Sequence, residues 1–512
     1  MDNFAVPTVR EVIDEAAGKF GDKTFIKYLD GESIIERSYN RVRDDSLCLC
    51  RYLRNHKAER HHIAVVGKTS YEYIIAATGV MISGNVFIPF SPDISVREAL
   101  KIFGAADIDM IICDSGFAPT AEEIKAGLPA IKTILNVSAE LENIRADYSD
   151  SSEYASLSDY KVDVEELSLI IYTSGTTGVR KGVMLSQKAL VGNVMYKDYE
   201  HCFDETYSSL SILPMFHCFC FSGDFIRNLM DGVTLCMGSG LRDLVPNLLT
   251  FKPNVMRLVP MIAASLLQRI KVVESRHRGL SPRKAAEQVL GPNIEWLISG
   301  GAYLNPELVY EYENHGVHLR QGYGMTEAGC RISVPDTRCT AESVGRVTTV
   351  CDVRIEGGEI QVMTPTFMLG YYKMPEATAE MFTEDGWLRT GDIGTITDDG
   401  QLFVTGRLKN LIILSGGENV SPEAIEKKFA DCPLVSEVLV YAENDKIVAE
   451  FYPDFASCER VDIEDIEAEL NEIVRNVNLT SKASHIISVV KVRTEPFEKT
   501  GPGKIKRKVT NI

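Results

Sequence analysis

The densest chemical signal in this sequence is Tyr172-Thr173-Ser174-Gly175-Thr176-Thr177-Gly178-Val179-Arg180-Lys181-Gly182. Glycines let backbone N–H groups approach an anion, the hydroxyls add donors, and Lys181 adds a positive charge. Loops of this composition cradle phosphates. The spacing is not G-x-x-x-x-G-K-[ST], so this is not a Walker A loop. A second signal is Gln321-Gly322-Tyr323-Gly324-Met325-Thr326-Glu327. It lacks the third glycine of a dinucleotide fingerprint. Its hydroxyl and carboxylate suit a phosphate and Mg²⁺, which takes oxygen ligands, although a ligand-free turn explains it equally well. In Arg389-Thr390-Gly391-Asp392 and Gly406-Arg407-Leu408-Lys409, Asp392 could grip ribose hydroxyls and Arg407 ribose or phosphate. Taken singly, these charges read as solvated surface. Lys504 reads, alone, as part of an exposed tail. His217, in Leu213-Pro214-Met215-Phe216-His217-Cys218-Phe219, reads alone as a core histidine satisfied by one hydrogen bond.

Such groups need a frame. Helical spacing over residues 8–17 and short β-rich runs at 62–67, 109–113, 167–172 and 294–298 predict apolar strands separated by helices, hence parallel sheets buried on both faces. After about residue 340, short strands and glycine turns predict an antiparallel β region. Beyond residue 410 the pattern predicts a helix capped by Ser421 with Pro422 at its first position, a hairpin around Glu443-Asn444-Asp445, an acidic helix near 462–477, and a basic tail.

The chain has 512 residues, enough for several domains. With 54 Lys+Arg against 72 Asp+Glu, the formal charge is −18, which argues against nucleic acid and anionic lipid as general partners. No run reaches the roughly 20 apolar residues of a membrane-spanning helix, and Met1-Asp2-Asn3 does not open a signal peptide. The 12 cysteines form no CxxC pair, which predicts reduced, mostly buried thiols and a cytoplasmic location.

Taken together and in this order, YTSGTTGVRKG, GYGMTE, RTGDIG, GRLKNLIILSGGENVSPEAIE and the terminal GK resemble the acyl-adenylate-forming (AMP-binding) superfamily, in particular its acyl-CoA synthetases of the fatty-acid–CoA ligase type. The resemblance implies an α/β fold: a large N-terminal domain of mixed sheets packed with helices plus a β region, residues 1–408, and a small mobile α+β C-terminal domain, residues 409–512. It implies two half-reactions. A carboxylate attacks the α-phosphate of ATP to give acyl-AMP and pyrophosphate, and a thiol then takes the acyl group and releases AMP.

By position, the resemblance gives Thr173, Ser174, Gly175, Thr176, Thr177, Gly178 and Lys181 the β- and γ-phosphates. It gives Gly301, Ala302, Gly322, Tyr323, Gly324 and Met325 the adenine and acyl pocket. Thr326 falls to the α-phosphate, Glu327 to Mg²⁺, and Asp392 and Arg407 to the ribose. Lys504 bridges carboxylate and α-phosphate, Lys409 is the hinge of the mobile domain, and Ser415, Gly416 and Gly417 reach the thiol tunnel. Arg180 and Pro502 depart from the family's pattern. Phe216 is followed by His217 rather than the Asp of amino-acid-activating relatives, an arrangement that resembles acyl- and aryl-CoA ligases and implies His217 at the mouth of the acyl pocket. The expected substrates are therefore ATP, CoA and a fatty or other hydrophobic acid. An acyl carrier protein as acceptor, a domain that stops at acyl-AMP, and a non-catalytic AMP-binding protein are the alternatives.

Overall fold

The computed structural model describes residues 4–56, 60–150, 162–173, 180–196, 203–277, 279–413, 419–430, 432–444, 446–482, 485–499, 505 and 507. The chain divides into two compact units. The first comprises residues 1–352 and 362–388, the second residues 353–361 and 389–512.

The first unit holds two seven-stranded sheets. One runs, in spatial order, His318–Gln321, Trp296–Ser299, Val255–Leu258, Ser208–Ser211, Thr234–Met237, Thr24–Asp30 and Ser33–Ser38. All its neighbouring pairs are parallel except the last. The other runs Gly370–Tyr371, Lys181–Ser186, Leu167–Thr173, Val86–Phe90, His62–Val66, Met110–Cys113 and Thr133–Asn136. There the parallel order gives way to antiparallel pairing at the Lys181 edge. Strands such as Val86–Phe90 are buried at every position, as sheets covered on both faces require. Some of the covering helices start at side-chain caps. Thr8 and Glu11 form a capping box for Val9–Phe20, and Ser70 caps Tyr71–Ile82. No described helix is long and apolar enough to cross a membrane.

The second unit contains most of the four-stranded sheet Asp352–Glu356, Glu359–Met363, Leu388–Ile396 and Leu402–Arg407, whose last two strands pair antiparallel. It also contains the sheet Val435–Glu443, Lys446–Pro453 and Ile487–Val492. Ile425, Phe429, Val440, Phe451 and Leu470 are buried together beneath the latter. Ser421 caps Pro422–Glu426 by accepting from the Ala424 N–H. The acidic helix runs Ile466–Leu479 and starts at Asp465, whose side chain caps it. Residues 389–407 fall in the second unit. The physical reason is close packing. A Cβ on Gly406 would lie 2.3 Å from the Ser421 hydroxyl, and the Lys427 ammonium donates to the Val404 carbonyl at 3.2 Å.

Candidate active site

In the first unit, the strands Leu167–Thr173 and Lys181–Ser186 pair antiparallel, with Thr173 opposite Lys181. The short strand Gly370–Tyr371 adds to the outer edge, with Tyr371 opposite Val183. That addition puts a buried phenol under the lysine. The Lys181 ammonium lies 4.5 Å from the centre of the Tyr371 ring. The Tyr371 hydroxyl donates to Glu327 Oε1 at 2.8 Å. Burial, and then the Glu327 carboxylate, raise the Tyr371 pKa, so the phenol stays a proton donor across the working range. Lys181 and Glu327 are far apart in sequence, yet one tyrosine joins them.

The turn that carries Glu327 is held from several sides. The Met368 N–H donates to the Glu327 carbonyl at 2.8 Å. The buried Asn193 amide donates to the Ala328 and Arg331 carbonyls at 3.3 and 3.0 Å, and its oxygen accepts from the Arg331 N–H at 2.8 Å. Thr326 and Glu327 are themselves only partly buried.

Before them, Tyr323–Met325 pairs antiparallel with Cys330–Val334. The strands are so close that a Cβ on Gly324 would lie 1.7 Å from the Cys330 carbonyl oxygen, so only glycine fits. Cys330 has φ near +120°, a region that side chains other than glycine avoid, at a cost on the order of 1–3 kcal/mol. Strain of this kind persists where surrounding contacts over-determine the backbone.

The strands Trp296–Ser299 and His318–Gln321 are parallel, with Ser299 beside Gln321. The segments 300–304 and 322–327 therefore leave the same edge of the sheet, the C-terminal edge where open α/β folds bind ligands. Gln321 ties them together. Its amide donates to the Ala302 carbonyl at 2.7 Å and its oxygen accepts from the Leu304 N–H at 3.2 Å. Gly301 has φ +78° and nothing within 4 Å of a built Cβ.

His217 immediately precedes the short helix Cys218–Cys220. That helix touches the first segment and the turn that follows the second: Phe219 packs on Gly300, and the Cys218 thiol approaches the Gly329 carbonyl at 3.9 Å. The His217 side chain is open to solvent, yet the protein mass around it lowers its pKa by desolvation. Both hold for a ring lining a concave surface. A core histidine satisfied by one bond is not what is found: among the described residues no hydrogen bond reaches the ring.

In the second unit, Asp392 lies opposite Arg407 on paired strands, and Arg407 Nε is 2.7 Å from Asp392 Oδ1. Asp392 is nearly buried, whereas the Arg407 side chain is 44% exposed, so the arginine can turn to a ligand. Glu359 organises the approach. Its carboxylate accepts from the Gly391 N–H at 3.0 Å and from Arg389 at 3.3 Å. Gly391 has φ +68°, which explains glycine there. Lys409 lies in the single 3-10 turn Leu408–Asn410, and Asn410 donates to Glu423 at 2.5 Å.

The structure thus brings Thr173, Lys181, Thr326, Glu327, Gly322 to Met325, Gly301, Ala302 and His217 together in one unit, and Asp392, Arg407 and Lys409 in the other. Ser174, Gly175, Thr176, Thr177, Gly178, Ser415, Gly416, Gly417 and Lys504 lie outside the described residues. Sequence reasoning missed Tyr371, Asn193 and Glu359 as organising residues. The run Gly370-Tyr371-Tyr372 after an apolar stretch signals only a strand end, and its partners lie far away in sequence.

Comparison with known proteins adds to this geometry. The AMP-binding enzyme profile matches residues 13–372, and the AMP-binding enzyme C-terminal domain profile matches residues 409–511. The long-chain-fatty-acid–CoA ligase FadD15 of Mycobacterium bovis is 25% identical over 521 residues, covering 87% of this chain and 85% of that protein. Feruloyl-CoA synthase from an Amycolatopsis species is 28% identical over 405 residues, covering 75% of each. The structure of O-succinylbenzoate coenzyme A synthetase from Bacillus subtilis, in complex with ATP and magnesium ion, superposes with a TM-score of 0.78 at 20% identity, covering 98% of this chain and 99% of that one. The last is a likeness of fold.

Proposed function

Because this chain belongs to the AMP-binding enzyme family, we infer that it is an ATP-dependent acid–thiol ligase that activates a hydrophobic carboxylic acid as acyl-AMP and transfers it to CoA. The observation that carries this reading is the Lys181–Tyr371–Glu327 chain. It sets a cation and a carboxylate on either side of one phenol, beside the strand that leads into the hydroxyl- and glycine-rich loop. The acid stays at the level of a class, since the relatives named above differ, by name, between a long-chain fatty acid and a feruloyl group.

Glu327 fits Mg²⁺. Tyr371 engages Oε1, and among the described residues no hydrogen bond reaches Oε2. Nor do three His, Cys, Asp or Glu side chains gather there as a cage, again among the described residues, which suits an ion held by one carboxylate and by substrate phosphates. When bound, Mg²⁺ supplies charge neutralisation on the phosphates. The chain's own residues do the rest. Lys181 offsets phosphate charge, Thr326 donates to the α-phosphate, and Asp392 with Arg407 grips the ribose. To Lys504, which lies outside the described residues, we assign the bridge between the carboxylate and the α-phosphate, where two anions meet and a fixed cation would lower the barrier. His217 flanks the acid, and Gly301, Ala302 and Gly322 to Met325 hold adenine and the acyl group.

In our reading the lid begins at residue 409 and turns about Lys409. It withdraws Lys504 after adenylation and presents Ser415, Gly416 and Gly417 to the thiol. All eleven cysteines among the described residues are free, which supports a reducing, cytoplasmic setting. The test is pyrophosphate exchange with a panel of aliphatic and aromatic acids, followed by a thiol panel of CoA and pantetheinylated carrier protein. Acid-dependent exchange with CoA thioester as the product supports the reading. No exchange with any acid overturns it.

A further inference from the structure

We propose that the buried Asp224–Arg257 ion pair is a positioning device that sets the His217 ring for adenylation. Its hold on the ring stands independently of the function proposed above, while its effect on rate rests on that reading.

The pair joins segments that meet only in the fold. Asp224 lies in the π-helical segment Phe221–Ile226, which continues the short helix Cys218–Cys220 behind His217. Arg257 lies on the strand Val255–Leu258. Its Nη1 donates to Asp224 Oδ1 at 2.8 Å. On the neighbouring strand Ser208–Ser211, the Ser211 hydroxyl donates to Asp224 Oδ2 at 3.1 Å and the Ser209 hydroxyl to Oδ1 at 3.5 Å. Gly223 makes room for the guanidinium. A Cβ there would lie 2.9 Å from Arg257 Nε, closer than such contacts allow.

Both ends of the pair lead to the candidate site. On the helical side, the His217 carbonyl accepts from the Cys220 and Phe221 N–H groups at 3.2 and 3.0 Å. The Ser222 hydroxyl donates to the Cys218 carbonyl at 2.7 Å. The turn that carries the ring is therefore bonded into the segment that holds Asp224. On the strand side, the carbonyl of Leu258, the residue after Arg257, accepts from the Gly300 N–H at 3.2 Å. Phe219, two residues after His217, packs on that same Gly300. The ion pair thus braces the histidine turn against the strand that anchors Gly300.

Stability alone does not account for charges here. Asp224 is 0% and Arg257 1% exposed, and Phe221, Phe225 and Ile226 beside Asp224 in sequence are buried too. Taking two charges out of water can cost more than their attraction returns, and well-packed apolar residues of similar volume are often as stable or more so. Burial pushes the Asp224 pKa up, and Arg257 pulls it back. What an apolar pair lacks is direction. A charge-assisted hydrogen bond fixes distance and angle, whereas apolar contacts let a segment slide. π-Helical turns are rare and concentrate at functional sites. Letting a reacting group shift by about 1 Å costs about 10²-fold in rate.

The experiment compares R257M, the double replacement D224L/R257M, H217Q and the triple combination, all in the full chain. Three readouts follow: melting temperature, pyrophosphate exchange with the acid panel, and the imidazole Cε1–Hε1 NMR signal of His217. That signal is assigned among the nine histidines by its loss in H217Q. R257M alone leaves a buried carboxylate without its cation and should melt well below the unmodified chain. The double replacement should recover that melting temperature, yet exchange should stay about 10²-fold down with the His217 signal displaced. In the H217Q background the same double replacement should cost much less, because residues acting through one another are not additive. Should the double replacement not fold, R257K, which keeps the charge without the planar fork, is read in the same three ways. The proposal is overturned if the double replacement leaves exchange and the His217 signal unchanged. It is equally overturned if the loss in the H217Q background is as large as in the unmodified chain. If no acid supports exchange in the unmodified chain, the function above has failed, and the pair is judged on the His217 signal. A displaced signal then supports the brace, and an unmoved one contradicts it.

Discussion

Replacing Tyr371 with Phe removes one hydroxyl and leaves the ring in place. The lost interaction is the 2.8 Å bond to Glu327 Oε1, while the ring beneath the Lys181 ammonium, 4.5 Å away, is kept. A hydrogen bond to a charged group is worth about 1.5–3 kcal/mol. At 1.36 kcal/mol per factor of ten, this sets a ceiling of about 10- to 150-fold on the loss in adenylation. The ceiling is reached only if the bond is stronger in the transition state than in the ground state. Tyr371→Leu also removes the cation–π contact, worth about 0.5–2 kcal/mol, and should add a further factor of about 2 to 30. The assay is the initial rate of pyrophosphate exchange against Mg²⁺ concentration at fixed ATP, with the Mg²⁺-dependent thermal shift by ATP as a second readout. The Phe variant should need more Mg²⁺ for half-maximal rate, because a carboxylate left to swing no longer presents Oε2. Its melting temperature should change little, since Glu327 is only partly buried and water can replace the donor. Wild-type exchange at every Mg²⁺ concentration would refute the reasoning, and so would a collapse in stability with unchanged rate per folded molecule.

Gly324→Ala forces a methyl to 1.7 Å from a backbone oxygen that cannot swing aside, and overpacking costs about 1–3 kcal/mol or more. It should lower the melting temperature well beyond Gly18→Ala, where nothing lies within 4 Å and φ is not positive; equal losses would contradict the wedge at Cys330. Desolvation holds the His217 pKa below 6.5, so the unfolded chain binds the extra proton first. Stability therefore falls as pH drops through the unfolded value toward the folded one. His217→Gln should flatten that slope in urea titrations between about pH 6.5 and 5, and an unchanged slope would argue that the ring is not desolvated. Arg407→Ala breaks an ion pair whose arginine is 44% exposed, and such a pair contributes about 0–1 kcal/mol to stability. The melting temperature should hardly move while the KM for ATP rises, whereas a large melting shift with unchanged KM would make the pair structural.

Much of the frame can be read from the chain because its signals are local. The Thr8 and Glu11 capping box, the all-apolar Val86–Phe90 and the Asp398-Asp399-Gly400 turn each depend on neighbours a few residues away. The residues of the candidate site stand out for the same reason: hydroxyls, glycines and charges lie consecutively at 172–182, 321–327 and 389–392. What organises them does not. Tyr371 acquires its role when Gly370–Tyr371 pairs with the middle of the Lys181 strand. Asn193 acquires its role when the turn at 328–331 is laid over it. The approach of Cys218 to Gly329 likewise needs the helix and the hairpin to meet. Pairings between distant segments leave no periodicity in either one, and Tyr371 looks like any strand tyrosine. The acyl specificity is unreadable for a related reason, since pocket depth depends on side chains contributed by several separate elements.

The central claim is that a carboxylate oxygen bonds to the α-phosphorus of ATP before the thiol takes the acyl group. The most direct test supplies a carboxylic acid labelled with ¹⁸O in both oxygens, together with ATP, Mg²⁺ and CoA, and weighs the phosphorus products by mass spectrometry. One labelled oxygen in AMP, with unlabelled pyrophosphate, is the predicted result, because thiol attack on the acyl carbon leaves the bridging oxygen on phosphorus. Label in orthophosphate alongside ADP, or thioester formed with unlabelled AMP, would contradict acyl-AMP as the intermediate.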